Sequence, residues 1–190
     1  MYNNCIEKEV KTMIEDINGF RLPRYTQIPD VGLYLEQVVR YVNAHLALLG
    51  EPELTSSMVS NYVKQGLIPS PIKKAYTAEH LARLLFIAVV KPVVPLEGLR
   101  LMFGIQEDNY PLQTAYDYFC DEFENMLGAA FGISPARDRI GKTQSDAKDL
   151  LRNTILATVN KVYLDRYLED YQKQRKNGMH SEKRESAQGI

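Results

Sequence analysis

The sequence predicts an all-α chain, with short capped helices in its first half and two long amphipathic helices in its second. Three observations lead there. Apolar residues recur at three- and four-residue spacing from Val31 to Leu49; Thr55 and Thr77 stand where helix N-caps belong; and an aromatic stripe from Leu112 to Ala130 faces a near-heptad pattern between Ser145 and Tyr171.

In chain order, Ile6, Val10, Met13, Ile14 and Ile17 predict an amphipathic helix over residues 1–20, ended at Asn18-Gly19. The next stretch, FRLPRYTQIPD, holds two prolines and reads as an extended linker. Its Arg21 and Arg24 are candidates for extra phosphate contacts, and Asp30 is a candidate cap for the helix that follows. That helix, Val31 to Leu49, puts Leu35, Val38, Val39, Val42, Leu46 and Leu49 on one side, with Gly50 as its stop. His45 lies on its flank and reads as a packing or surface residue.

Thr55 and Gly66 then bracket about ten helical residues. Met58, Val59, Tyr62 and Val63 make the inner face, while Ser57, Ser60, Asn61 and Lys64 make an outer face that is short, polar and weakly basic. Such a face suits a DNA groove. Small hydroxyls allow close approach, Asn can pair two ways with an adenine edge, and Lys can meet guanine or phosphate. Leu67 and Ile68 are expected to tuck beneath the helix, and PSPIKK to form a stiff loop presenting Lys73 and Lys74. From Thr77, a docking helix carries Leu81, Leu84, Leu85 and Ala88 on one face, with Glu79 in its first turn. Pro95 opens a short helix from Leu96 to Phe103, and Gly104 to Pro111 reads as a loop and domain boundary.

Leu112, Tyr116, Phe119, Phe123, Met126, Leu127 and Ala130 share one side of the following helix. Its natural partner is the helix of Ala147, Leu151, Thr154, Ile155, Thr158, Val162 and Tyr163. Two helices cannot cover each other's apolar faces completely. Pairing with a second chain or with the N-terminal half would finish the core, and a small apolar effector between Tyr116, Tyr118, Phe119 and Phe123 is the sharper alternative. The division expected is thus an N-terminal helix (1–20), a helix-turn-helix domain (21–104), a dimerisation or effector region (105–172) and a disordered tail (173–190).

With 45% apolar and 25% charged residues in 190, the composition is that of an ordinary globular chain. The longest apolar run is too short for a bilayer span and the start has no signal-peptide pattern, so a cytoplasmic location without membrane association is expected. Cys5 and Cys120 suggest neither a disulfide framework nor a metal site, and no cofactor is expected. No Walker A, GxGxxG, GxSxG or HExxH motif is present, and adjacent Glu79 and His80 cannot converge on one substrate atom, so an enzyme is not expected. The net charge of −1 hides a split: Leu54 to Lys91 carries five basic residues against one acid, whereas Gly104 to Ala130 carries six acids and no Lys or Arg.

The succession of Tyr62, Gly66-Leu67-Ile68-Pro69, Lys73-Lys74, Tyr76-Thr77, Leu81, Leu84, Ile87, Pro95-Leu96 and Leu99 resembles the winged helix-turn-helix of MerR-like regulators. More closely, it resembles an uncharacterised bacterial family of unknown function, described as MerR-like, through MVSNYVKQGLIPSPIKKAYTAEHLARL. The resemblance runs from about Leu22 to Phe103, and there is room for only a truncated wing. It implies a homodimeric transcription regulator that binds double-stranded DNA through Ser57, Ser60, Asn61, Lys64, Lys73, Lys74 and Tyr76. The competing expectation is a helical interaction or scaffold module of the same shape that does not bind DNA.

Overall fold

Of the four residues before the first long helix, Leu33 is drawn into another contact, and this sets the geometry of the N-terminal half. In the computed structural model, which describes residues 17–50, 53–135 and 145–187, helix α1 (Leu35–Leu46) starts later than Val31 and ends in a 3-10 turn, Ala47–Leu49. Leu33 is held instead by Tyr76, each donating its N–H to the other's carbonyl at 2.9 and 2.8 Å. Gly32 makes this possible: its φ is +73°, and a Cβ there would lie 3.1 Å from that of Ala75. Asp30 accordingly caps a different helix from the one expected, accepting the Ala78 N–H at 3.2 Å.

Five further helices follow: α2 (Ser56–Lys64), α3 (Ala78–Val90), α4 (Leu96–Asn109), α5 (Leu112–Ala130) and α6 (Asp146–Ala187). The described residues are all-helical, and their only extended pairings are isolated bridges between Leu33 and Tyr76 and between Ile72 and Ala75. Helices α2 and α3 both rest on α1, and α5 lies along α6. Asn43 of α1 fixes the approach to α2, because its side-chain amide both donates to and accepts from the Leu54 backbone at 2.9 Å.

Helix α4 runs through the expected loop at Gly104 and stops at Asn109, before Pro111. An interior glycine costs about 1 kcal/mol. Burial of Leu99 and Phe103 on the same helix returns about 1.5–3 kcal/mol each, so the helix continues. The linker also differs from expectation, since it is clamped to α5. Arg24 forks onto Glu124 (2.7 and 3.0 Å) and reaches Asp121 (2.7 Å), while Glu124 and Asp117 accept the N–H groups of Leu22 and Tyr25 at 2.8 Å. The buried Tyr116 hydroxyl donates to the Pro23 carbonyl at 3.0 Å.

One hydrophobic cluster therefore runs from Ile17 and Phe20 through α1–α5 to Ile155 and Val159 of α6, across the boundary expected at Gly104. Its aromatic spine is Phe20, Phe123, Phe119, Phe86 and Phe103, with successive ring centres 4.9–5.9 Å apart. Helix α6 continues to Ala187, where a disordered tail from 173 was expected; Gln, Lys, Arg and Glu sustain a helix without supplying an apolar face. The expected helix over 1–20 lies outside the described residues except for residues 17–20, and residues 136–144, between α5 and α6, also lie outside them. No described helix is long and apolar enough to cross a membrane.

Candidate nucleic-acid interface

Helix α2 is built by its ends. The Thr55 hydroxyl accepts the Met58 N–H at 3.2 Å. At the other end Gly66, with φ +69°, lets its own N–H reach the Val63 carbonyl and that of Leu67 the Tyr62 carbonyl, closing a Schellman cap. Between these caps Val59 and Tyr62 are buried, and Leu67 and Ile68 tuck in behind them. Ser57, Ser60, Asn61 and Lys64 are all exposed, as their spacing predicts. Ser60 donates back to the Ser56 carbonyl at 2.9 Å, so its proton is used and its oxygen keeps both lone pairs as an acceptor.

The loop that follows ends in a tight reversal. Ala75 N–H bonds to the Ile72 carbonyl at 2.9 Å, and the two residues between, Lys73 and Lys74, have φ of +48° and +66°. A hydrogen-bonded turn with both central residues left-handed is a type I′ turn, which Asn-Gly fills far more readily. Each non-glycine residue held there costs about 1–2 kcal/mol. Two lysines at the apex are therefore a local expense that the surrounding fold sustains. Sequence reading places the lysines in a loop but misses the turn type, because neither Gly nor Asn marks it. Both lysines are exposed and, like Lys64, have no ion-pair partner among the described residues.

The turn hangs from the N-terminus of α3. Thr77 N–H donates to His80 Nδ1 at 3.0 Å, and the His80 ring meets Tyr76 edge-on, with ring centres 5.3 Å apart. His80 is buried, and this desolvation lowers its pKa below the ordinary histidine value against the pull of Glu79 and the carbonyls of Pro69 and Ser70. The neutral ring with a bare Nδ1 is what the Thr77 N–H requires. Tyr76 departs from its expected role: it is 5% exposed, so its side chain is a packing residue beneath the turn and no part of the outer face.

One of the five local cations is spent internally: Arg83 is buried against Glu79 (3.2 Å) and Glu107 (2.8 Å), whereas Lys91, at the far end of α3, stays exposed with its Nζ 5.7 Å from the centre of the Tyr62 ring. Arg24 is consumed by Glu124 and Asp121, whereas Arg21 stays largely exposed. What remains on offer is the α2 face and the lysine turn. Cys120 is buried in the core, and its thiol is pushed up to about 12, mainly by desolvation.

Among known proteins, a family model described as a domain of unknown function, DUF1836, matches residues 23–119, just over half of the chain. The match includes the linker from Pro23, all of α1–α4 and the first eight residues of α5. Comparisons with curated proteins and with solved structures gave no match.

Proposed function

The chain belongs to the DUF1836 family, whose description carries no activity, and from the geometry of its exposed face we propose that it is a double-stranded DNA-binding transcription regulator. Helix α2 enters the major groove with Ser57, Ser60, Asn61 and Lys64, as the resemblance to MerR-like helix-turn-helix regulators suggests. Lys73 and Lys74 hold the phosphate backbone beside it as a wing cut down to a single turn. The observation that carries this reading is the strained lysine pair. Two cations kept in a costly conformation at an exposed apex serve a contact outside the chain better than anything within it.

The regulator acts as a homodimer in this reading. Helix α6 has 42 residues and so is about 63 Å long; its Leu164, Tyr167, Leu168 and Tyr171 are exposed at helical spacing, as a seam for a second copy would be.

A second reading has its own support. Val31, Tyr34 and Ile72 flank the two bridges and are 84%, 62% and 73% exposed, an apolar fringe better suited to a protein partner than to phosphate. In that case the same turn is a docking point on a scaffold. Selection of bound duplexes from a random pool at near-physiological salt separates the two: enrichment of a sequence motif supports the regulator, and recovery of no duplex supports the scaffold.

A further inference from the structure

Three alanines from three helices meet around one space. Ala82 of α3, Ala115 of α5 and Ala147 of α6 all line a cavity of about 180 Å³, which Phe86, Met102, Phe103 and Phe119 wall on its other sides. The exposed side chains of Ile105 and Leu150 stand at its rim. Protein interiors hold few voids larger than a water molecule, because the atoms around an empty apolar space lose their contact partners. This one lies against three rings of the aromatic spine, where larger residues in place of the alanines would close it. An apolar void of about 150 Å³ accommodates benzene, so there is room for one ring with a short alkyl substituent.

The polar groups of the lining are met by other protein groups or by water. Arg83 is turned to Glu79 and Glu107. Gln106 donates to the Tyr110 carbonyl at 2.7 Å, and its Oε1 is closed to a molecule the size of water, so it does not face a chamber that admits one. The hydroxyls of Tyr110, Tyr116 and Tyr118 meet Ser145 Oγ, the Pro23 carbonyl and Glu122 Oε1, each at 3.0 Å. Lys148 Nζ lies 5.6 Å from the ring centres of both Tyr110 and Tyr118, and Thr114 is exposed to water. A guest that brought a hydroxyl or a charge inside would give up its hydration and gain no partner in exchange.

We propose that this chamber binds one small apolar ring of alkylbenzene size that carries no hydrogen-bonding group. The aromatic and aliphatic walls supply the affinity by contact, and the lack of a polar partner supplies the discrimination: toluene enters, and phenol of nearly the same shape is disfavoured.

Titration calorimetry on the full chain with toluene, phenol and benzoate, together with methionine-methyl NMR, tests the assignment. Toluene binds saturably and about tenfold more tightly than phenol, and benzoate does not bind. At saturation toluene moves the Met102 methyl resonance, whereas those of Met58 and Met126, which are not in the lining, stay in place. Ala147→Phe, placed on the half-exposed lining of α6, fills the chamber and removes toluene binding. Cooperative thermal unfolding shows that this variant folds; should it fail to, the Met102 shift and the toluene-to-phenol contrast in the wild type decide. The proposal is overturned if toluene does not saturate the wild type, if phenol or benzoate binds as tightly as toluene, if the Met102 methyl stays fixed at saturation, or if a folded Ala147→Phe binds as before. No duplex enters the experiment, so its outcome is separate from that of the DNA reading.

Discussion

The lysines that follow α2 and the acids of α5 stand out equally in the sequence, yet the fold uses them in opposite ways. Asp117 and Glu124 accept backbone N–H groups of the linker, Asp121 and Glu124 hold Arg24, and Glu122, wholly buried, accepts from Tyr118 and Arg152 at 3.0 Å. These acids are structural mortar. Lys64, Lys73 and Lys74 have no such internal use. The difference teaches that a charged segment declares a partner only after its internal bonds are subtracted, and here the subtraction leaves Lys64, Lys73 and Lys74 facing solvent around α2, with Lys91 exposed at the far end of α3.

The contrast breaks most visibly on the acidic side. Glu124→Ala leaves the Leu22 N–H without its acceptor and Arg24 with Asp121 as its one remaining carboxylate, and it is expected to cost about 2–3 kcal/mol in urea unfolding. Duplex affinity at a temperature where the variant stays folded is expected to be unchanged. On the basic side the effects reverse: Lys73→Ala with Lys74→Ala weakens every duplex, by about 100-fold at low salt, and leaves stability the same or higher. Asn61→Ala costs about 1–3 kcal/mol at one base pair and little elsewhere, read as a shift in the selected motif. A uniform loss across all duplexes would remove Asn61 from base reading.

The smallest effect is on pH. His80 has a folded pKa below its unfolded one, so the unfolded chain binds the proton more readily and stability falls as pH drops below about 6.5 toward the depressed folded value. Urea midpoints measured between pH 7.5 and 5.5 are expected to decline in the wild type, and the part due to this ring is expected to vanish in His80→Gln. If the acid loss is identical in the two proteins, the ring is not what titrates.

Much of this was legible from residue spacing and caps. The inner and outer faces of α2, the Thr55 and Gly66 ends, and the burial of α5 on α6 follow from helical period and from which residues tolerate a left-handed backbone. What escaped depends on partners distant in sequence. Asp30 looks like a cap for the nearest helix, but the Leu33–Tyr76 bridge delays that helix and carries Asp30 to α3. Arg24 looks like a free cation until α5, a hundred residues on, takes both arms of its guanidinium. Tyr76 reads as a surface residue because it sits beside two lysines, yet the ring of His80 and the bridge to Leu33 hold it inside. The lysine turn itself was hidden because its conformation is set by the two bridges and against local preference.

The salt dependence of duplex binding tests the central claim most directly, with wild type set beside Lys73→Asn with Lys74→Gly, which keeps the turn, relieves its strain and removes its charge. Three exposed lysines per subunit in a dimer give a log–log slope of about −5, falling to about −2 in the variant, which should also unfold at higher urea. A wild-type slope near zero, or a variant that keeps the wild-type slope, would contradict the assignment of the lysine turn to a phosphate backbone.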